Sequence, residues 1–573
     1  MENKQIADIF SEIAAILNIK ADNPFRIRSY QNVSRTIEDL SFSLSEKVSN
    51  NEDITTIPGI GKGIEEKIIE IIRTGKCVFL ERLLQEIPED VIEMLRLEGL
   101  GPKKVAVLYN TLRIDTFKKL EKASRNGLIA DLDGFGQKTA QKILKSLENY
   151  KKGIGRFKLS LGLTYAHSFI AYLRNIEGVK KIEPAGSLRR RSETIGDLDL
   201  LVICNNSAPV MDGFIAYDEV EEILAHGNTK SSIKLKCGLQ VDLRVLHVDE
   251  FGSALHYFTG SKAHNIAIRK RAIERGYKVS EYGVFDSKNK KIAGKTEVDL
   301  YKSLDLCYIE PELRENRGEI EFAEKGQLPQ LITLRDIKGD LQMHTTATDG
   351  KHSIRQMAEK AKSLGYDYIA ITNHSQAVRI AGGLNDEQLI LHFQEIEDVN
   401  NSIEGITILK GVEVDILANG ELDLDEETLA QCDVVLAAIH SRFTMIEEEM
   451  TERIVKGIRN PYVNIFAHPT GRLLLEREPY QINMTRLIDT AIENKVFLEI
   501  NAYPDRLDLN DIHAKMAKDK GSFLVINTDA HAVEQLDVMK FGVYTARRAW
   551  LEKKDVINTY PLEKLRKVLK KEI

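Results

Sequence analysis

Three carboxylates in this 573-residue chain have the spacing to hold metal ions. Asp197 and Asp199 open an apolar run, 198–204, that reads as a strand, and residues two apart in a strand share a face, so both can address one pair of ions. Asp242 lies in a second strand-like run, 240–246, able to pair beside the first. Hard divalent ions take oxygen ligands and share them with substrate phosphates. Two Mg²⁺ (or Mn²⁺) ions held here would activate an attacking hydroxyl and stabilise a leaving pyrophosphate. Just upstream, Gly186-Ser187 followed by Arg189, Arg190 and Arg191 offers backbone, hydroxyl and guanidinium donors to a triphosphate.

A second set is built from histidine. Eight of the thirteen histidines fall in the last 240 or so residues, most at the ends of predicted strands. In order come His344 with Asp349, then His374, Glu413, His440, His468, and Asp529 with His531. Mixed imidazole and carboxylate donors favour Mn²⁺, Zn²⁺ or Fe²⁺ over Mg²⁺, and two or three such ions at one barrel mouth would catalyse phosphoester hydrolysis. His352, His392 and His513 fall outside the pattern and read as surface histidines.

The elements that must position these groups follow from periodicity. Residues 1–150 carry helical apolar spacing and three copies of a glycine turn feeding a helix: Gly59 and Gly61, Gly99 and Gly101, Gly134 and Gly136. Glycines permit the tight turn, and free N–H groups at the next helix start can bind a phosphate, so the repeat reads as helix-hairpin-helix contact with a DNA backbone. From about 158 to 320 short strands alternate with helices such as 261–275. A polar stretch at 312–330 with Pro311 and Pro329 reads as a flexible linker. Beyond it, predicted strands at 368–372, 406–412, 434–439, 463–467, 496–500 and 523–527 alternate with helices, which implies a parallel sheet or barrel.

Composition excludes several classes. Length predicts about four domains. No apolar run reaches membrane-spanning length and the first residues lack a signal-peptide core, so a cytoplasmic protein is expected. Five cysteines, none in a CxxC pair, exclude a disulfide framework and a thiolate zinc site. The net charge of −7 divides into −1 over residues 1–150, +4 over 151–320 and −10 over 321–573, so the only basic region is the one with the Asp-x-Asp pair. Its clusters at Lys151, Lys152, Arg156 and Lys158, and at Arg269, Lys270 and Arg271, suit a phosphate backbone but also an ordinary solvated face.

The order Gly-Ser, arginine, Gly-Asp-x-Asp and a later aspartate resembles the nucleotidyltransferase core of family X DNA polymerases. The run Tyr257-Phe258-Thr259-Gly260-Ser261, leading to Asn265 and Arg269, is similar to that family's nucleotide-binding turn and helix. The resemblance implies that Asp197, Asp199 and Asp242 bind the metals, with Asp242 assisting deprotonation of the primer 3′-hydroxyl. It implies triphosphate contacts from Gly186, Ser187, Arg190 and Gly196, with Gly260 in the nucleotide-binding turn. Tyr257 and Phe258 would pack on the sugar, Asn265 would face the nascent base pair and Arg269 the template. Gln240 departs from the arginine usual two residues before the third aspartate. The helical start resembles the small amino-terminal domain of these polymerases, with Arg26 and Tyr30 at 5′-phosphate positions and Lys67 where some relatives carry a Schiff-base lysine for lyase chemistry. A neighbouring family lysine position is Gly63 here.

The histidine series resembles the PHP (polymerase and histidinol phosphatase) domain, a distorted (β/α)₇ barrel with a trinuclear metal site. That makes His344, Asp349, His374, Glu413, His440, His468, Asp529 and His531 the expected ligands. Gln342 replaces the usual first histidine and Asn373 an aspartate before His374; an amide is the weaker ligand, so slow or Mn²⁺-dependent hydrolysis is expected. The fusion resembles the bacterial and archaeal PolX family. It implies a gap-filling repair polymerase, acting in base excision repair on gapped or primed DNA and dNTPs, with a metal-dependent 3′–5′ exonuclease or phosphodiesterase, as a monomer. The expected division is 1–85 and 86–150 (helical, DNA-binding), 151–250 (mixed α/β nucleotidyltransferase palm), 251–318 (nucleotide selection), 319–334 (linker) and 335–573 (PHP barrel). A dedicated phosphoesterase and a non-catalytic DNA-gap-binding scaffold are the alternatives; the segment from Tyr257 to Arg269 argues against the first, and the three aspartates against the second.

Overall fold

The computed structural model describes residues 3–569, apart from 21, 40–43, 50–51, 58, 75–76, 98–99, 131, 133–134, 138, 142 and 145–154. It divides into two compact units, Met1–Gly155 and Arg156–Ile573.

The first unit is helical. Along Asn3–Ile19, Ile6, Phe10, Ile13 and Leu17 recur at steps of four and three, form one stripe, and are fully or almost fully buried. Each such side chain contributes roughly 1.5–3 kcal/mol when withdrawn from water. Their partners include Val33 and Ile37 of Pro24–Asp39. The first glycine turn packs Ile57 and Ile60 inward, takes a positive φ of 88° at Gly59, and leads through Gly61 into Lys62–Thr74. In the second, Gly101 caps Pro102–Leu112, whose proline occupies the first helical turn where no N–H is needed. Gly136 of the third has φ +64°. Gly99 and Gly134 lie outside the described residues.

The second unit begins with a five-stranded sheet in the order Val179–Pro184, Asp197–Cys204, Gln240–Leu246, Lys230–Leu235, Val220–His226. Asp197–Cys204 and Gln240–Leu246 run parallel; the other pairs are antiparallel. Alternation sends Leu198, Leu200 and Val202 to an apolar core shared with Leu159–Leu173 and Ser207–Ile215, and Leu201 and Ile203 to the opposite face under Phe251–Thr259. Asp197 and Asp199 belong to that second face. Helix Lys262–Glu274, a three-stranded antiparallel sheet and helix Glu297–Ser303 follow.

The segment read as a flexible linker is not one. It forms a 3₁₀ turn at Pro311–Leu313 and a helix at Glu319–Glu324, and two of its charges, Arg314 and Glu319, are buried and paired. Arg314 is wholly buried, donating to Glu297 Oε1 and, at 2.9 Å, to the Ile309 carbonyl. Buried Glu319 accepts from the N–H groups of Asn316 and Arg317 and contacts His264 Nδ1 at 2.6 Å. Composition marked the segment as polar, but these partners lie up to 55 residues away and no local pattern announces them.

The remaining residues form seven parallel strands in sequence order, from Gly339–Asp340 through Tyr368–Ile371, Thr407–Asp415, Val434–Ala438, Ile465–Phe466 and Phe497–Asn501 to Leu524–Asn527. A parallel bridge from Met343 to Ala530 joins the first strand's extension to the last. Six of the seven coincide with predicted runs; the Gly339–Asp340 strand does not, because two residues are too few to show periodicity.

Candidate active sites

Register builds the first site. Asp199 stands directly opposite Asp242 across the parallel pair, and Asp197 opposite Gln240, so three carboxylates share one sheet face. Gly186 has φ +60°, and a Cβ there would lie 2.6 Å from Asp199 Oδ2, so only glycine lets the turn come this close. Burial, reinforced by Asp197 and Asp242, pushes Asp199 up to about 7; burial and Asp242 likewise raise Asp197. Asp242 goes the other way. Burial opposes its ionisation, but hydrogen bonds from Gln240 Nε2 (2.9 Å), Ser232 and Lys230 outweigh it. Gln240, the departure from the family pattern, therefore holds Asp242 ionised, as does Lys230, Nζ 3.2 Å from Asp242 Oδ2. Sequence reasoning missed Lys230, whose strand pairing brings Ser232 opposite Asp242. Three oxygen donors crowded beyond what they can ionise without cations fit a pair of hard divalent ions.

Arg190 donates Nε to Glu315 (3.0 Å) and Nη1 to the Thr259 carbonyl (2.5 Å). Arg189 instead pairs with Glu297 at 2.6–2.8 Å. Tyr257 meets Phe258 edge-on at 5.1 Å, and the Arg244 guanidinium lies 4.4 Å over the Phe258 ring. Asn265 donates to the Tyr257 carbonyl at 2.7 Å while its own buried oxygen has no hydrogen-bond partner among the described residues. Arg269 is exposed on Lys262–Glu274. In the amino-terminal unit, Arg26, Tyr30 and Lys67 converge on one ring missed from sequence, Phe79: Arg26 at 5.1 Å, Lys67 at 5.4 Å, and Tyr30 stacked at 6.0 Å.

The barrel brings all eight expected residues together at the carboxyl ends of its strands, where barrel loops carry chemistry. Glu413 is the hub, with its oxygens 3.2 Å from His344 and His374, 3.3 Å from His440 and 2.8 Å from His468. Three ligand groups have atoms within 4.8 Å of one another: His344, Asp349, His374, His531; His374, Glu413, His440; and His344, Glu413, Asp529. Both His344 nitrogens, His374 Nδ1 and Glu413 Oε2 are buried without hydrogen-bond partners among the described residues, which suits donors meant to share cations. Burial alone would depress His344 and His440, yet Asp529 and Glu413 raise His344 to about 10, and Glu413 and Asp415 raise His440 to about 9. The cluster demands positive charge at its centre.

Gln342 is wholly buried, and neither amide atom has a partner among the described residues. Asn373 does not address the cluster. It accepts from the Thr345 N–H (2.8 Å) and the Thr348 hydroxyl (2.9 Å), and its Nδ2 meets His392 Nε2 at 2.8 Å, fixing the loop that carries His344 and Asp349. His392 is therefore buried rather than a surface histidine, because its partner lies nineteen residues away, just past the strand Tyr368–Ile371. His352 and His513 are half-buried. Supporting residues missed from sequence are Asp415, which orients His440 Nδ1 at 3.1 Å; Glu499, which accepts from the His468 N–H at 2.7 Å; and Arg506, 3.6 Å from Asp529. Asp415 was findable, two residues from Glu413 on the same strand face. A cleft of ≈ 920 Å³, lined by Asp415 and His440 with Arg379 and Arg442, opens beside the cluster.

Fold and sites together define a nucleotidyltransferase joined to a metal-dependent phosphoesterase barrel. Family models match in the same order: a Helix-hairpin-helix domain at 1–77, a SAM-like Helix-hairpin-helix tandem at 91–149, the DNA polymerase beta thumb at 254–315 and the PHP domain at 340–503. The chain is 40% identical over its whole length, and over the whole of the relative, to the DNA polymerase/3′-5′ exonuclease PolX of Bacillus subtilis. It is 26% identical to DNA polymerase lambda of Rattus norvegicus across 55% of this chain and 56% of that protein. A "Probable phosphatase" of Acetivibrio thermocellus is 30% identical across 34% of this chain and 78% of that protein. The chain belongs to the PolX family, family X DNA polymerases with a carboxy-terminal PHP domain.

Proposed function

We propose that this chain is a template-directed, gap-filling DNA polymerase of base excision repair whose barrel removes nucleotides from 3′ ends. One observation carries the first half: the register that sets Asp199 opposite Asp242, beside Asp197 and the Gly186 turn. Asp197, Asp199 and Asp242 would hold two Mg²⁺ or Mn²⁺ ions, which supply charge neutralisation at the attacking and leaving oxygens. Asp242, held ionised by Gln240 and Lys230, accepts the proton of the primer 3′-hydroxyl. Ser187 and Arg190 grip the triphosphate, with Gly196 beside them. Tyr257 and Phe258 pack the sugar, Gly260 shapes the turn beneath them, and Asn265 and Arg269 face the nascent pair and the template.

In the barrel, His344, Asp349, His374, Glu413, His440, His468, Asp529 and His531 would hold two or three Mn²⁺, Zn²⁺ or Fe²⁺ ions, which supply a hydroxide and polarise the phosphodiester. Asp415 and Glu499 fix the imidazoles. In the amino-terminal unit, Arg26 and Tyr30 would contact a 5′-phosphate across the gap, with Lys67 beside them at the Phe79 ring, and Gly59, Gly61, Gly101 and Gly136 would shape the backbone grips. Borohydride trapping of a 5′-deoxyribose phosphate on the wild type, lost in Lys67→Ala, would add lyase chemistry there. The reading places the chain in the cytoplasm as a monomer; among the described residues no helix is long and apolar enough to cross a membrane.

The test is a gel of 5′-labelled primer in one-nucleotide-gapped DNA with Mn²⁺, with and without dNTPs. Extension is lost in Asp242→Ala and retained in His440→Ala, and shortening shows the reverse. Absence of extension by the wild type would sink the polymerase reading; extension without shortening would sink the exonuclease reading alone.

A further inference from the structure

The loop carrying the candidate triphosphate contacts is fastened to the barrel at three nearly consecutive residues. Arg548 donates Nη1 to the Arg190 backbone carbonyl (2.8 Å) and to Glu315 Oε1 (2.9 Å), and Nη2 to Asp511 Oδ2 (2.8 Å). The Arg191 guanidinium lies 4.5 Å over the Tyr544 ring. Glu193 accepts from Arg472 Nη2 at 2.7 Å and Nη1 at 3.3 Å. Tyr544 and Arg548 are one turn apart on helix Met539–Arg548, hence on one face, and Arg472 follows His468 by four residues. Beneath them, Leu474, Leu507 and Phe541 of the barrel join the apolar core that holds Leu188 and Ile195, the two ends of the loop.

Arg190 itself is one link further along. Its Nε shares Glu315 Oε1 with Arg548, so one carboxylate lies between two guanidinium groups. An arriving triphosphate offers Arg190 stronger acceptors, and Arg190 can exchange Glu315 for them only if Glu315 keeps another cation; a carboxylate left half-buried and unpaired would oppose the exchange. Arg548 is that cation. We propose that Arg548, Tyr544 and Arg472 are positioning residues of the polymerase site, so that the barrel completes the dNTP-binding loop as well as carrying its own chemistry. This rests on the polymerase reading above.

Plain interdomain adhesion would not single out the loop, and the neighbouring Arg547 supplies the control. It also crosses from the barrel, to Glu312 (2.8 Å) and the Ile332 carbonyl (3.1 Å), without touching residues 189–194. The experiment is steady-state filling of a one-nucleotide gap by the full chain, with DNA saturating and the dNTP varied. Tyr544→Ala and Arg548→Gln raise the dNTP KM about five- to tenfold and leave kcat within about twofold. Tyr544→Phe keeps the ring and the wild-type KM, and Arg547→Gln leaves KM unchanged. Adding Glu315→Gln to Arg548→Gln restores KM, because the amide no longer competes for Arg190. Primer shortening persists in Tyr544→Ala, showing an intact barrel; if Arg548→Gln does not fold, Tyr544→Ala decides alone. An unchanged KM in Tyr544→Ala, or an equal rise in Arg547→Gln, overturns the inference while leaving the polymerase reading standing. Absence of extension by the wild type removes that reading instead.

Discussion

Glu413 touches four imidazoles with one carboxylate, and among the described residues no other member of the barrel cluster is shared so widely. Glu413→Gln keeps the shape and removes the charge, so we expect primer shortening to fall by about a hundredfold and Mn²⁺ binding to weaken, with gap filling unchanged. The same charge balance sets a pH dependence. His344 and His440 titrate near 10 and 9 when folded, against an unfolded value of roughly 6.5. In metal-free protein their protonation therefore stabilises the fold fully below that unfolded value, and the contribution is lost as pH rises through 9 and 10. Bound cations displace those protons, so Mn²⁺ affinity must rise with pH. Calorimetry in EDTA is expected to show Tm falling from pH 7 to pH 10, and titration calorimetry tighter Mn²⁺ binding at pH 8.5 than at pH 6.5. Equal affinity at the two pH values would contradict the charge balance.

At the scale of elements, the strand Asp197–Cys204 shows why so much of the site is legible in sequence. A period of two is enough to put Asp197 and Asp199 on one face and Leu198, Leu200 and Val202 on the other, and the parallel partner carrying Asp242 completes the set. The barrel strands are similarly legible because strands buried on both faces read as unbroken apolar runs. What stayed hidden depended on partners far along the chain: His392 through Asn373, Lys230 through Asp242, Glu319 through His264. Gly339–Asp340 stayed hidden because two residues have no period. The turn before the strand yields a prediction of its own. Gly186→Ala adds a Cβ 2.6 Å from Asp199 Oδ2 at a positive φ, at a cost of about 1–2 kcal/mol and with the carboxylate displaced. Gap filling is expected to fall at least tenfold while primer shortening is kept; unchanged gap filling would mean that the turn does not set Asp199.

At the scale of the whole molecule, the packed segment 311–336 changes what the chain is mechanically. A flexible tether would let polymerase core and barrel unfold separately, whereas Glu312, Glu315 and Arg317 of this segment pair with Arg547, Arg548 and Asp511 of the barrel, and everything from Arg156 to Ile573 forms one compact unit distinct from Met1–Gly155. Unfolding heat scales with residue number, so calorimetry is expected to resolve two transitions, the larger carrying roughly two to three times the heat of the smaller. Arg314→Ala leaves Glu297 buried with one partner fewer and the Tyr301 and Tyr308 rings, 5.3 and 5.4 Å from the guanidinium, without their cation. Breaking a buried pair from one side costs roughly 3–5 kcal/mol. The substitution should therefore lower the larger transition, taking gap filling and primer shortening down together on heating, and leave the smaller one in place. Separate melting of the two activities in Arg314→Ala would show that core and barrel are joined loosely after all, and would also remove the rigid junction through which Arg548 reaches Arg190.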